Sequence, residues 1–106
     1  MRIHIKATGI ELTPSIKEHI ETKLAPLAKY LNHWDQSDSV LLRAEVAKTT
    51  NHHHKGDIFY AEANLELPHK TIRIEETHHD LHAAIENLKD RLKAEILKLK
   101  EKETAH

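Results

Sequence analysis

The sequence predicts an α+β fold, a two-layer sandwich in which a four-stranded sheet carries two helices on one face. Three observations lead there. Four short segments alternate apolar and polar residues with a period of two, and two longer ones repeat apolar residues every three or four positions. Every predicted strand also keeps one polar face, so one side of the sheet meets water and both helices cover the other. The order is β-α-β-β-β-α. The first β-α-β unit should be a right-handed crossover between parallel strands, and the three strands that follow it should form an antiparallel meander.

The first strand is residues 2–8, with Ile3, Ile5 and Ala7 on one face and Arg2, His4 and Lys6 on the other. Gly9 ends it. Thr13-Pro14 starts the first helix, because threonine caps free amides and proline at the first position has none to leave unpaired. Its stripe is Ile16, Ile20, Leu24, Leu27 and Leu31, and Pro26 should kink its last turn by removing a backbone bond. Residues 39–48 form the second strand, with Val40, Leu42, Ala44 and Val46 inward. A loop, 49–56, holds His52-His53-His54. The third strand, 57–67, turns Phe59, Ala61, Ala63, Leu65 and Leu67 inward. After a turn at Pro68-His69, the fourth strand, 70–76, contributes Ile72 and Ile74. Thr77 to Asp80 reads as a capping box. Leu81, Ala84, Ile85, Leu88, Leu92, Ile96 and Leu99 then mark one face of a long helix, with residues 101–106 expected to fray.

Composition narrows the function. With 106 residues the chain is expected to be a single domain, 1–106, and 31% of it is charged. The absence of cysteine excludes disulfides, thiol catalysis and cysteine-ligated metal sites. The first residues alternate and lack an apolar signal segment, and no apolar run is long enough to span a bilayer. The expected location is the cytoplasm, with no membrane partner. The two glycines stand alone at 9 and 56, so there is no phosphate-binding loop. No serine sits in a nucleophile elbow, and the carboxylates alternate with basic residues as solvated faces do. The chain reads as no enzyme, with no cofactor and no small-molecule substrate.

The eleven histidines are unusual. His78 and His82 stand at the i, i+4 spacing that can chelate a metal, and the 52–54 run could hold one loosely. Exposed loop and helix-end histidines explain both groups more simply, so no metal ligand is assigned. Protonation of His78, His79 and His82 would add positive charge near the start of the second helix.

Net charge is only −1, but it is unevenly spread. Between 89 and 102 lie Lys89, Arg91, Lys93, Lys98, Lys100 and Lys102 against Asp90, Glu95 and Glu101. At 100° per residue, Lys89, Lys93 and Lys100 line one flank of the helix and Arg91, Lys98 and Lys102 the other. On the first helix Lys17 and Lys23 border the apolar stripe and Lys29 faces outward. Such margins on adjacent helices suit a phosphate backbone; on composition alone, lysines that merely snorkel over the core fit equally well. The open sheet face is charge-balanced, with Tyr60 its only aromatic, which argues against a stacking platform of the RRM kind.

The same residues carry a family resemblance. Asp80-Leu81-His82-Ala83-Ala84-Ile85-Glu86, followed by Asp90-Arg91-Leu92 and Lys98-Leu99-Lys100, resembles the second-helix signature of the ribosome hibernation promoting factors and ribosome-associated inhibitors, approximately D-[ML]-Y-A-A-I-[DN], K-L-x-x-Q-[LI] and a basic tail. Leu12-Thr13-Pro14-Ser15-Ile16 and Lys23-Leu24-Ala25-Pro26-Leu27-Ala28-Lys29-Tyr30 resemble the first helix of that family. Some members bear the older label sigma-54 modulation protein. The resemblance implies a bacterial protein of the short form, without the C-terminal domain that pairs ribosomes in longer members. It implies a factor that binds rRNA of the small ribosomal subunit in the mRNA and tRNA channel, blocks translation in stress or stationary phase, and is a monomer when free. By position, Lys23, Arg91, Lys98 and Lys100 match basic residues of the family, while Lys29, Lys89 and Lys93 join them from the helix-face reading. His82, Ala94 and Glu95 depart from the pattern, and Glu95 lies within helical reach of Arg91 and Lys98. The alternatives are a general double-stranded RNA-binding module, whose basic cluster at the start of the last helix is absent here, and a protein-interaction modulator of transcription that would use the sheet face.

Overall fold

The structure, a computed structural model, describes residues 1–50 and 56–104. It contains β1 (Arg2–Thr8), α1 (Pro14–Leu24), β2 (Leu41–Thr50), β3 (Asp57–Glu66), β4 (Thr71–His78) and α2 (Leu81–Thr104), in the predicted order. The strands lie side by side as β1-β2-β3-β4. β1 runs parallel to β2, and the other pairs are antiparallel.

Register aligns the apolar residues in rows across the sheet. Ile3, Leu42, Leu65 and Ile72 form one row, and Ile5, Ala44, Ala63 and Ile74 the next. Small residues in the second row leave room for the helix layer, and α2 packs over β3 and β4. All seven residues of its predicted stripe, Leu81 to Leu99, are buried in one core cluster with Ile20, Leu24, Leu27 and Leu31. Each fully buried leucine contributes roughly 1.5–3 kcal/mol relative to exposure. The opposite sheet face is polar and ion-paired, Arg43 with Glu66 and Arg73 with Glu62 and Glu75.

Thr13 caps α1 as expected, its hydroxyl accepting the Ile16 amide at 3.2 Å. Pro26 does more than kink the helix. From Ala25 to Tyr30 the chain winds as a 3₁₀ helix, which still delivers Leu27 and Leu31 to the core. Gly9 has φ +71, and a Cβ there would stand 2.8 Å from the Lys48 carbonyl oxygen, so the turn after β1 requires glycine.

Four expectations need correction. The second strand is displaced by two residues, because its pairing with β1 starts at Leu41 and its pairing with β3 continues to Thr50. The third strand stops at Glu66, where the Leu67 amide turns to the Lys70 carbonyl at 2.8 Å. The fourth strand runs on to His78, so Thr77 pairs with Tyr60 instead of capping a helix. Asp80 caps α2 by accepting the His82 amide at 2.9 Å. Finally, residues 101–104 stay helical. Glu103 accepts the Trp34 indole N–H at 2.9 Å and meets His69 Nε2 at 2.6 Å, which ties the last turn to two other parts of the fold. Burial raises the Glu103 pKa, but the bonds from His69 and Trp34 outweigh it and hold the carboxyl below its usual value. The 52–54 histidines lie outside the described residues.

Candidate nucleic-acid interface

The two helices bring Lys23, Lys29, Lys89 and Lys93 to one place. They line a groove of about 300 Å³ together with Thr22, Pro26, Leu27, Tyr30 and Asp90. Pro26 has a part in this. The 3₁₀ turn it enforces carries Lys29 and Tyr30 beside α2, so that Lys29 Nζ stands 5.1 Å and Lys93 Nζ 5.5 Å from the Tyr30 ring centroid. Such cation–π contacts contribute about 0.5–1 kcal/mol at exposed sites and hold the ammonium groups near the ring. A hydrogen bond from Lys93, with the charges of both lysines, keeps the Tyr30 phenol below its ordinary pKa despite partial burial.

The four lysines are not equivalent. Glu86 on α2 accepts from Lys89 at 2.6 Å and from Lys23 of α1 at 2.9 Å, and Lys89 also reaches Asp90 at 3.2 Å. Hydrogen bonds from Lys89 and then Lys23 hold the Glu86 carboxyl down to about 2, so it is ionised throughout the physiological range. Its partner Lys89 is raised above its ordinary pKa, by Glu86 first and Asp90 second. Among the described residues, Lys29 and Lys93 have no carboxylate within 4.0 Å. The groove therefore offers two free ammonium groups around an aromatic ring and two that are already tied.

Arg91 and Lys98 lie on the other flank, as the helical wheel requires. Arg91 donates to the Glu75 carbonyl at 2.9 Å and to the Glu76 carboxylate at 2.7 Å, which fastens α2 to β4. Lys98 lines a separate groove with Lys70 and Lys102. Lys100 falls near the α2 end, beside His33, Trp34 and Glu103. Glu95 makes no ion pair among the described residues, and the expected partner Arg91 is taken by Glu76. Tyr30 and Glu86 fall within the two helix motifs quoted above without an assigned role, and Glu76 falls in neither. The Glu86-Lys89 spacing was readable as an i, i+3 pair, but the meetings of Glu86 with Lys23 and of Glu76 with Arg91 come from different elements.

The chelating histidine pair does not form. His78 belongs to β4 and its Nδ1 accepts the Asp80 amide at 2.9 Å, whereas His82 stacks edge-on against His19 of α1 with ring centroids 4.2 Å apart. His19 Nε2 is buried without a protein partner. Burial, then the His82 and Lys23 charges, lower the His19 pKa against the opposing pull of Glu86 and Asp80. No group of three potential metal ligands occurs among the described residues. No helix among them is long and apolar enough to cross a membrane.

Comparison with known proteins adds to this geometry. The chain is 26% identical over 106 residues to a ribosome hibernation promoting factor of Klebsiella oxytoca, covering all of both chains. It is 29% identical over 96 residues to a ribosome hibernation promotion factor of Deinococcus radiodurans, covering 91% of this chain but only 47% of that longer relative. Its fold matches the crystal structure of the Thermus thermophilus Protein Y N-terminal domain with a TM-score of 0.72 and 27% identity, over 93% of this chain and 99% of that one. Residues 3–104 match the family described as Sigma 54 modulation protein / S30EA ribosomal protein, and the chain belongs to that family.

Proposed function

We propose that this chain is a ribosome hibernation factor, acting through residues 1–106 as one ribosome-binding domain. In this reading it binds rRNA of the small ribosomal subunit in the mRNA and tRNA channel, as a cytoplasmic monomer, and inhibits translation in stress or stationary phase. The observation that carries it is the groove between the 3₁₀ turn and α2, where the unpaired Lys29 and Lys93 flank Tyr30 and Lys23 and Lys89 stand beside them. Ammonium groups meet phosphate as point charges, and the half-buried Tyr30 ring between them offers its accessible part to an unstacked base. Lys100 stands further along α2, and Arg91 and Lys98 add positive charge on its other flank. The names of the Klebsiella and Deinococcus relatives support the same role.

The rival readings have less behind them. The sheet face satisfies its own charges through Arg43–Glu66 and Arg73–Glu62 pairs, which leaves little for a protein partner to recognise. A general double-stranded RNA module would need cations at the start of the last helix, where Asp80 serves as the cap.

Sedimentation with purified small subunits at two salt concentrations tests the proposal, together with inhibition of a reconstituted translation system. Binding should weaken with salt, and inhibition should occur without cleavage of RNA or hydrolysis of nucleotide. Prior addition of excess mRNA and initiator tRNA should protect. Inhibition indifferent to both competitors would exclude the channel.

A further inference from the structure

Helix α2 has a second cationic groove, on the side away from Tyr30. It measures about 400 Å³ and runs between the helix and β4, with Lys70 and Arg73 on the strand side and Glu95, Lys98 and Lys102 on the helix side. Its floor is Ile72 and Leu99, both buried. β4 ends the strand order, so the backbone groups along its outer edge have no strand partner. Arg73 is held by Glu62 and Glu75 on the open face. Lys70, Lys98 and Lys102 have no carboxylate within 4.0 Å among the described residues, and Glu95 is the one acid in the lining.

The chemistry of the groove selects its occupant. A peptide would need an apolar or aromatic anchor seated in a pocket, and the lining offers no aromatic ring and only the covered Ile72 and Leu99. Separated ammonium groups on two walls, with edge amides between them, suit a chain that carries charge at regular intervals and needs no side-chain pocket. We propose that Lys70, Lys98 and Lys102 form a second phosphodiester site, which grips an RNA backbone segment distinct from the one at the Tyr30 groove. α2 is then a ridge between two phosphate tracks. This inference rests on the ribosome-binding reading, and it assigns a role to Lys70, in the β3–β4 turn, and to Lys102.

The test compares small-subunit binding by the wild type, Lys70→Gln/Lys102→Gln, Lys29→Gln/Lys93→Gln and the quadruple variant, at salt concentrations between about 50 and 200 mM. All four positions are exposed apart from the core, and circular dichroism checks that each variant is folded. A phosphate contact contributes a slope of about 0.7–0.9 in log K against log salt, so two lost contacts should shrink the affinity loss across that range by about tenfold. Each double variant should show this, and the quadruple variant should show both effects multiplied. If Lys70→Gln/Lys102→Gln binds as the wild type while Lys29→Gln/Lys93→Gln is impaired, the second site is refuted and the ribosome reading stands. If no variant alters binding, both fail. Undiminished subunit binding by Lys70→Gln/Lys102→Gln, with loss of affinity for a poly-glutamate peptide, would assign the groove to an acidic protein and overturn the proposal.

Discussion

Replacing Lys93 and Lys23 by glutamine should separate a binding lysine from a structural one on the same groove. The formal charge change is identical. Lys93 is exposed, lies over Tyr30 and has no carboxylate partner among the described residues, whereas Lys23 is bonded at 2.9 Å to Glu86 across the α1–α2 junction. A free ammonium that meets a phosphate displaces condensed counterions, about 0.9 of an ion per contact. Lys93→Gln should therefore flatten the salt slope of small-subunit binding by about 0.7–0.9, which shrinks the affinity loss between about 50 and 200 mM by roughly threefold. Lys23 is already neutralised by Glu86, so Lys23→Gln should flatten the slope by less than half as much. Thermal stability should fall modestly for both, because Lys23→Gln removes the bond to Glu86 and Lys93→Gln the contact with Tyr30. Arg43→Gln on the sheet face is the control and should leave the slope unchanged apart from a field screened over ~8–10 Å. Fluorescence anisotropy with labelled protein at three salt concentrations reads the slopes, and thermal melts read stability. A larger slope change for Lys23→Gln than for Lys93→Gln, or equal changes for Lys93→Gln and Arg43→Gln, would refute the reasoning.

Three further outcomes follow from the same geometry. Glu86→Gln should bind small subunits more tightly and with a steeper salt slope, since it frees Lys23 and Lys89, while its melting temperature falls. Because the Glu86 carboxyl is depressed from 4.5 to about 2, its stabilisation is complete above pH 4.5 and is lost as pH falls toward 2; urea midpoints of wild type and variant should converge in that window. His19 depends on pH with the same sign but in a higher window: its lowered pKa favours the neutral ring, so stability is complete above about 6.5 and declines below it as protonation sets the ring against His82 and Lys23. His19→Phe should make urea midpoints between pH 7.5 and 5.5 flatter than the wild type's. Leu92 is 0% exposed at the centre of the α2 stripe, and Leu92→Ala should cost about 2–5 kcal/mol in equilibrium urea unfolding.

Periodicity made the layer architecture legible, since a period of two or of three to four states which face of each element must be buried. It placed every residue of the α2 stripe in the core, and set Lys89 and Lys93 on one flank and Lys98 and Lys102 on the other. Element ends were less legible. Thr77 has the sequence of a cap, yet the pairing of β4 with β3 outcompetes it, and Asp80 takes the role. Local capping is one or two hydrogen bonds, whereas strand pairing carries the β3–β4 ladder on through Thr77 and His78.

What the sequence determined by itself is the order of elements, the buried stripes and the sign of the charge along α2. Each is a property of neighbours along the chain. Only the tertiary structure decided which lysines are free. Glu86 reaches Lys23 from another helix, Glu76 takes Arg91 away from Glu95, and the Pro26 turn sets Lys29 and Tyr30 opposite Lys93. Charge pairing acts over a few ångströms through space. Residues far apart in sequence therefore settle whether an ammonium is tied or available to a phosphate.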